Sequence, residues 1–241
     1  MKRFFVLGQN IGYSLSPKIH TSLYEIFGDK AEYTIVDIAQ KDLHVLPKLC
    51  CGADGFNVTK PFKTEIIKYL SFDKSECASV NTVTTHDMAG YSTDGDGFLF
   101  DIERSFKDAS SSDVLVLGYG GAAKACVAAL KRSGAAVSVA GRNLASAEAF
   151  ARDMGVSLYD GGKVDGVVSC TSETFYPKLS GGVKFCYDLR YSGETLKLDC
   201  PSANGLGMLI AQAIYSYGIF MCKQFDFCEV TELYSMVKER L

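Results

Sequence analysis

Between Asp113 and Lys124 the chain reads Asp-Val-Leu-Val-Leu-Gly-Tyr-Gly-Gly-Ala-Ala-Lys. Four consecutive apolar residues, a glycine turn and an alanine-rich run dictate a short buried strand, a tight connection and the first turn of a helix. Gly118 allows the turn, and Gly120 lets the backbone approach a pyrophosphate. The helix N-terminus, from Gly121 and Ala122 onward, offers free N–H groups and the positive end of the dipole. Ala123 is small enough for helix and strand to pack closely, and Lys124 adds positive charge. A strand-to-helix connection with no ligand is the competing reading. The placement of the glycines between an apolar run and an alanine-rich helix favours a dinucleotide site.

The next strand bears on which dinucleotide. Ala136 to Ala140 alternates like a strand and ends at Gly141-Arg142-Asn143. An NAD site usually carries Asp or Glu about 20 residues past the glycines, accepting from the ribose 2′-hydroxyl. Here that position is Gly141, and a guanidinium follows. A fork of donors with no adjacent carboxylate suits a 2′-phosphate, so NADP is expected ahead of NAD.

Strands and helices alternate throughout, which argues for an α/β fold of two domains with a cleft between them. The strands read as Phe4 to Gly8, Tyr33 to Asp37, Gly55 to Val58, Ser79 to Thr85, Gly90 to Ser92, Asp113 to Leu117, Ala136 to Ala140, Gly166 to Cys170 and Lys184 to Tyr187. Helices are expected at Pro17 to Phe27 with Ser16 as N-cap, near Leu43 to Leu49, at Pro61 to Leu70 capped by Thr59, at Asp94 to Phe106, and over Leu206 to Leu241. The expected division is a substrate-binding and catalytic domain over 1–98, completed by 206–241, and a doubly wound, Rossmann-like nucleotide domain over 99–205.

Composition removes several classes of function. A net charge of −3 from 25 basic and 28 acidic residues gives no basic footprint for nucleic acid. Nine cysteines without a C-x-x-C, and only three histidines, do not make a zinc site; no metal is expected, and the cysteines read as mostly buried, reduced thiols of a cytoplasmic protein. The apolar run after Met1-Lys-Arg is too short for a signal peptide, and Gly207 to Cys222 is interrupted by Gln212, Ser216 and Gly218, so no membrane partner is expected. Ser92-Thr93-Asp94-Gly95-Asp96 fails as a calcium loop, because Phe98 and Ser105 stand where acids are needed.

Several polar residues lie just past strand ends, where α/β folds place ligands. Ser14 and Ser16 put two hydroxyls at a helix N-terminus, which suits a carboxylate. Capping accounts for Ser16 and leaves Ser14 without a structural task. In Asn57-Val-Thr59-Lys-Pro-Phe-Lys63, the expected helix would place Lys63 in its first turn. A cation there opposes the dipole and suits proton transfer better than helix stability, with an ordinary solvated lysine as the alternative. Asp94 is a candidate lysine partner. Asn81 sits among β-formers and either faces a ligand or makes a turn. Gln212 lies in an apolar helix, where its amide either bonds core backbone or reaches a polyol.

The segments Ser14-Leu-Ser16-Pro-Lys-Ile-His20, Asn57-Val-Thr59-Lys-Pro-Phe-Lys63, Asn81-Thr82, Ser92-Thr-Asp94-Gly95, Gly118-Tyr-Gly120-Gly121-Ala122 and Gly205-Leu-Gly207-Met-Leu-Ile-Ala-Gln212 together resemble the shikimate dehydrogenase family in order and spacing. The resemblance implies NADP-dependent, reversible reduction of 3-dehydroshikimate to shikimate in aromatic amino-acid biosynthesis, by a monomer or homodimer. It also implies roles. Lys63 and Asp94 would form the catalytic pair. Ser14, Ser16, Thr59 and Tyr191 would hold the substrate carboxylate, and Asn81, Asp94 and Gln212 the ring hydroxyls. Gly118, Gly120, Gly121, Ala122, Ala123, Lys124, Arg142 and Asn143 would hold the cofactor.

The chain departs from the family pattern at Ser92, Thr21, Asn204 and Ser146, the last replacing a second arginine. One arginine leaves use of NAD open. The stretch from Tyr191 to Gly205 is too short for the helix usually found there. Three other readings compete: a quinate/shikimate dehydrogenase using NAD, a non-catalytic redox sensor, and a methyltransferase sharing the glycine turn. Retention of Lys63 and Asp94 weighs against the sensor, and a methyltransferase would not require Arg142 or the Lys63 segment.

Overall fold

The run Phe4-Phe-Val-Leu7 is apolar on both faces, as a strand covered on both sides must be, and it forms an interior strand of the first sheet. The computed structural model describes residues 1–75, 77–173, 175 and 178–241. By packing it divides into one unit of Met1–Thr93 with Leu209–Leu241 and a second of Asp94–Met208.

The first unit contains β1 (Lys2–Gly8), α1 (Ser16–Phe27), β2 (Ala31–Asp37), α2 (Leu46–Leu49), β3 (Gly55–Val58), β4 (Phe72–Asp73), β5 (Thr82–Thr84) and β6 (Ala89–Tyr91). Its sheet runs β2-β1-β3-β5-β6-β4. β1 is parallel to β2 and β3, while β5 is antiparallel to both β3 and β6. Alternation along β1 sends neighbouring rings to opposite faces. Phe5 stacks on Phe56, its register partner, at 4.9 Å, while Phe4 stacks on Phe220 at 4.6 Å.

In the second unit, α3 (Asp94–Ser105) precedes β7 (Asp113–Leu117), α4 (Gly121–Arg132), β8 (Ala136–Ala140), α5 (Leu144–Met154), β9 (Ser157–Leu158), β10 (Gly166–Ser169), β11 (Phe185–Asp188) and β12 (Ser202–Asn204). All its strands are parallel, in the order β12-β11-β10-β7-β8-β9. This is a doubly wound sheet, whose order reverses between β10 and β7. Ala123, Cys126, Val127 and Leu130 form the buried stripe of α4 in its core. The division between units falls inside α6 (Leu206–Met221), after which α7 (Phe227–Lys238) belongs to the first unit.

Three local expectations are corrected. Pro61 to Leu70 is not an α-helix: after a turn at 61–64 it becomes a 3-10 segment, Glu65–Tyr69. The Lys63 carbonyl accepts from the Val80 N–H at 2.8 Å, so it is committed to a distant strand approach. Thr64, Ile66, Ile67 and Tyr69 are also weak helix formers. The C-terminal region is two helices rather than one, broken around Cys222, whose φ is +53°, with Asp226 capping α7 in a capping box. The cysteines are not mostly buried. Cys77, Cys126 and Cys186 are, but Cys51, Cys222 and Cys228 are exposed.

Candidate functional site

In the first unit, Ser14 has a structural task after all. Its hydroxyl accepts from the Ser16 N–H at 3.3 Å and donates to the Ser16 hydroxyl at 3.2 Å. The N-cap position of α1 is Leu15, and Ser16 is the first helical residue rather than the cap. Thr59 is tied to β1 by its N–H, which donates to the Leu7 carbonyl at 2.8 Å. Its methyl fills the space beside Gly8, where a Cβ would lie 2.6 Å away. Lys63, half-buried, follows in the turn. Without an α-helix there, the dipole argument for Lys63 lapses, and its candidacy rests on its place beside Thr59 and on the resemblance.

Asn81 and Gln212 are brought together. The Asn81 amide donates to Gln212 Oε1 at 2.9 Å and to Thr93 Oγ1 at 2.8 Å, and its oxygen accepts from the Thr93 N–H at 2.8 Å. Gln212 also donates to the Leu209 carbonyl at 2.9 Å. Of the two readings of Gln212, the bond to backbone is therefore present.

Beneath them lies a buried polar network not identified from sequence as a unit. The Asn57 amide donates to the Asn81 carbonyl, the Thr82 hydroxyl and the Ser216 hydroxyl, each at 3.0 Å, while its oxygen accepts from the Tyr33 hydroxyl at 2.6 Å. Ser216 also bonds the hydroxyls of Thr82 at 2.7 Å and Thr93 at 3.0 Å. Ser216 stands four residues after Gln212, so both lie on one face of α6; that spacing is the signal a sequence offers for the network. His20 stacks on Tyr33 at 4.2 Å, and burial pushes its pKa down to about 3.

In the second unit, Gly118 adopts φ +110°, and its N–H donates to the Ala140 carbonyl at 2.8 Å. A Cβ there would meet the Cys170 carbonyl at 3.3 Å, so both backbone conformation and space call for glycine. At Gly120, by contrast, a Cβ would meet nothing within 4 Å. Gly120 is the N-cap of α4 and brings no capping side chain, so no cap of its own takes up the first N–H groups of that helix. Space and donors both fit a pyrophosphate here. Gly121 and Ala122 open α4, half-buried, and Ala123 is fully buried.

The cations beside this turn already have partners. Lys124 pairs with Asp153 at 3.0 Å, and Arg142 pairs with Glu173. Asn143 caps α5, its oxygen accepting from the Ser146 N–H at 2.9 Å. Gly141 offers no carboxylate, and a Cβ there would lie 2.6 Å from the Tyr119 ring. Asp94, buried, is the first residue of α3, where its charge complements the dipole. Tyr191 is half-buried after β11, next to the Arg190–Asp188 ion pair of 2.6 Å. Among the described residues no group of three His, Cys, Asp or Glu is arranged to hold a metal ion, and no helix is long and apolar enough to cross a membrane.

Comparison with known proteins gives a consistent result. Residues 6–85 match the family model of the shikimate dehydrogenase substrate binding domain. A shikimate dehydrogenase (NADP(+)) of Caldanaerobacter subterraneus subsp. tengcongensis is 32% identical over 261 residues, covering 93% of each protein. The enzyme of the same name from Sulfolobus acidocaldarius is 32% identical over 247 residues, covering 96% of this chain and 94% of its own length. Among solved structures, shikimate 5-dehydrogenase from Thermus thermophilus, in complex with NADP(H) and shikimate, aligns over all of both chains with a TM-score of 0.87 and 26% identity. The chain therefore belongs to the shikimate dehydrogenase family.

Proposed function

We propose that this protein is an NADP-dependent dehydrogenase that interconverts 3-dehydroshikimate and shikimate, acting in the cytoplasm on a small-molecule substrate without nucleic acid or membrane, as a monomer or homodimer. The observation that carries it is the pairing of Asn81 with Gln212. They are 131 residues apart in sequence yet hydrogen-bonded in the unit to which the substrate-domain match belongs. Two convergent amides over a buried scaffold suit a ligand rich in hydroxyls.

In this reading the first unit, with the C-terminal helices, holds the substrate, and the second holds NADP. The Ser14 and Ser16 hydroxyls, with Thr59 and Tyr191, bind the substrate carboxylate, and Asn81 and Gln212 orient ring hydroxyls. Lys63 and Asp94 are the catalytic pair. The Lys63 ammonium holds the oxygen at the reacting carbon and passes or receives its proton, and the Asp94 carboxylate orients that ammonium. When bound, NADP supplies or accepts the hydride. The Gly118–Gly121 turn and the α4 N-terminus would hold its pyrophosphate, with Arg142 at its 2′-phosphate.

Replacing Lys63 by Ala tests the assignment. Turnover should fall by about 10²- to 10⁴-fold while KM for shikimate changes far less; an unchanged turnover number removes Lys63 from the mechanism.

A further inference from the structure

Arg142 follows β8 and Glu173 follows β10, the two parallel neighbours of β7 in the sheet. Both loops leave the same carboxyl edge. The Arg142–Glu173 ion pair therefore spans the end of β7, where the Gly118–Gly120 turn emerges at the reversal of strand order. Arg142 and Glu173 are 62% and 68% exposed, so the pair is free to exchange partners with a ligand. The position that would ordinarily supply a carboxylate to the ribose is Gly141, which has no side chain and lies against the Tyr119 ring. An acid reaches this edge from the opposite side instead.

On the reading that this turn binds a dinucleotide, we propose that Glu173 is a specificity-determining residue for its adenosine end, weakening the preference for a 2′-phosphate. In the free protein the Arg142 guanidinium is satisfied by the Glu173 carboxylate. A 2′-phosphate must take the guanidinium from that carboxylate and then lie beside a like charge. A 2′-hydroxyl is neutral, escapes that repulsion, and can donate to the carboxylate. The turn's other cation, Lys124, is itself paired, with Asp153 at 3.0 Å.

The test is calorimetric binding of adenosine 2′,5′-bisphosphate and of AMP to the full chain, to Glu173→Gln, and to Glu232→Gln, an exposed control on α7 with the same change in charge. Glu173→Gln should bind the bisphosphate about fivefold more tightly and AMP within about twofold of the unmodified protein. The gain should shrink at high ionic strength, and Glu232→Gln should change neither affinity. Equal effects on both nucleotides, or none, overturn the role of Glu173 while leaving the nucleotide site standing. Failure of the unmodified protein to bind either nucleotide overturns the site and the role together.

Discussion

The Asn57 side-chain amide donates to the Ser216 hydroxyl at 3.0 Å, joining β3 to α6 across 159 residues of sequence. Ser216 is fully buried, and its other partners are the hydroxyls of Thr82 and Thr93. Removing the hydroxyl leaves three buried polar groups short of a partner, which costs about 1–3 kcal/mol. Urea denaturation of Ser216→Ala should show that loss with an unchanged m-value. A loss below about 0.5 kcal/mol would mean the network reorganises around the gap.

The pH dependence of stability should carry a His20 signature. Burial lowers the pKa of its ring from the ordinary 6.5 to about 3. Between those values the unfolded chain binds the proton and the folded protein does not. The His20 contribution is thus complete above about pH 6.5 and is lost as pH falls toward 3, at a limiting slope of about 1.4 kcal/mol per pH unit. Denaturant titrations of the protein and His20→Gln should therefore converge as pH is lowered through this window. Parallel curves would show that His20 charges without penalty.

Two glycines should behave oppositely. A Cβ at Gly205 would lie 2.0 Å from the Leu189 carbonyl oxygen, a backbone atom that cannot step aside. Gly205→Ala should destabilise by about 2–3 kcal/mol or more. At Gly120 the space is open, so Gly120→Ala should cost only about 1 kcal/mol, the poorer N-cap preference of alanine. It should nonetheless weaken NADP binding about tenfold, because its methyl occupies the approach to the pyrophosphate. Thermal melts and calorimetric titration separate the two; equal NADP affinity in Gly120→Ala would take the pyrophosphate away from this turn.

What is legible in the sequence is what depends on neighbours along the chain. The strand at Gly55–Val58 and the strand-turn-helix from Asp113 to Arg132 announce themselves through apolar runs and punctuating glycines. Pro61 to Leu70 misleads because the bond from Val80 that captures the Lys63 carbonyl is not local. The strands Phe72–Asp73 and Ser202–Asn204 are too short to show any alternation. Among the site residues, Asn81 and Gln212 stand out as amides in apolar surroundings. Ser216 does not, since a serine in a helix draws no notice until its three buried partners are known. Likewise the acid beside Arg142 comes from a loop 31 residues away, which no nearest-neighbour pattern could supply.

Hydride exchange between shikimate and a nicotinamide is reported directly by absorbance of the reduced nicotinamide. The purified protein would be mixed with shikimate and NADP+, with shikimate and NAD+, and with quinate and each cofactor in parallel. Absorbance should rise steadily with shikimate and NADP+, more slowly with shikimate and NAD+, and little with quinate. No rise with shikimate and either cofactor would contradict that exchange.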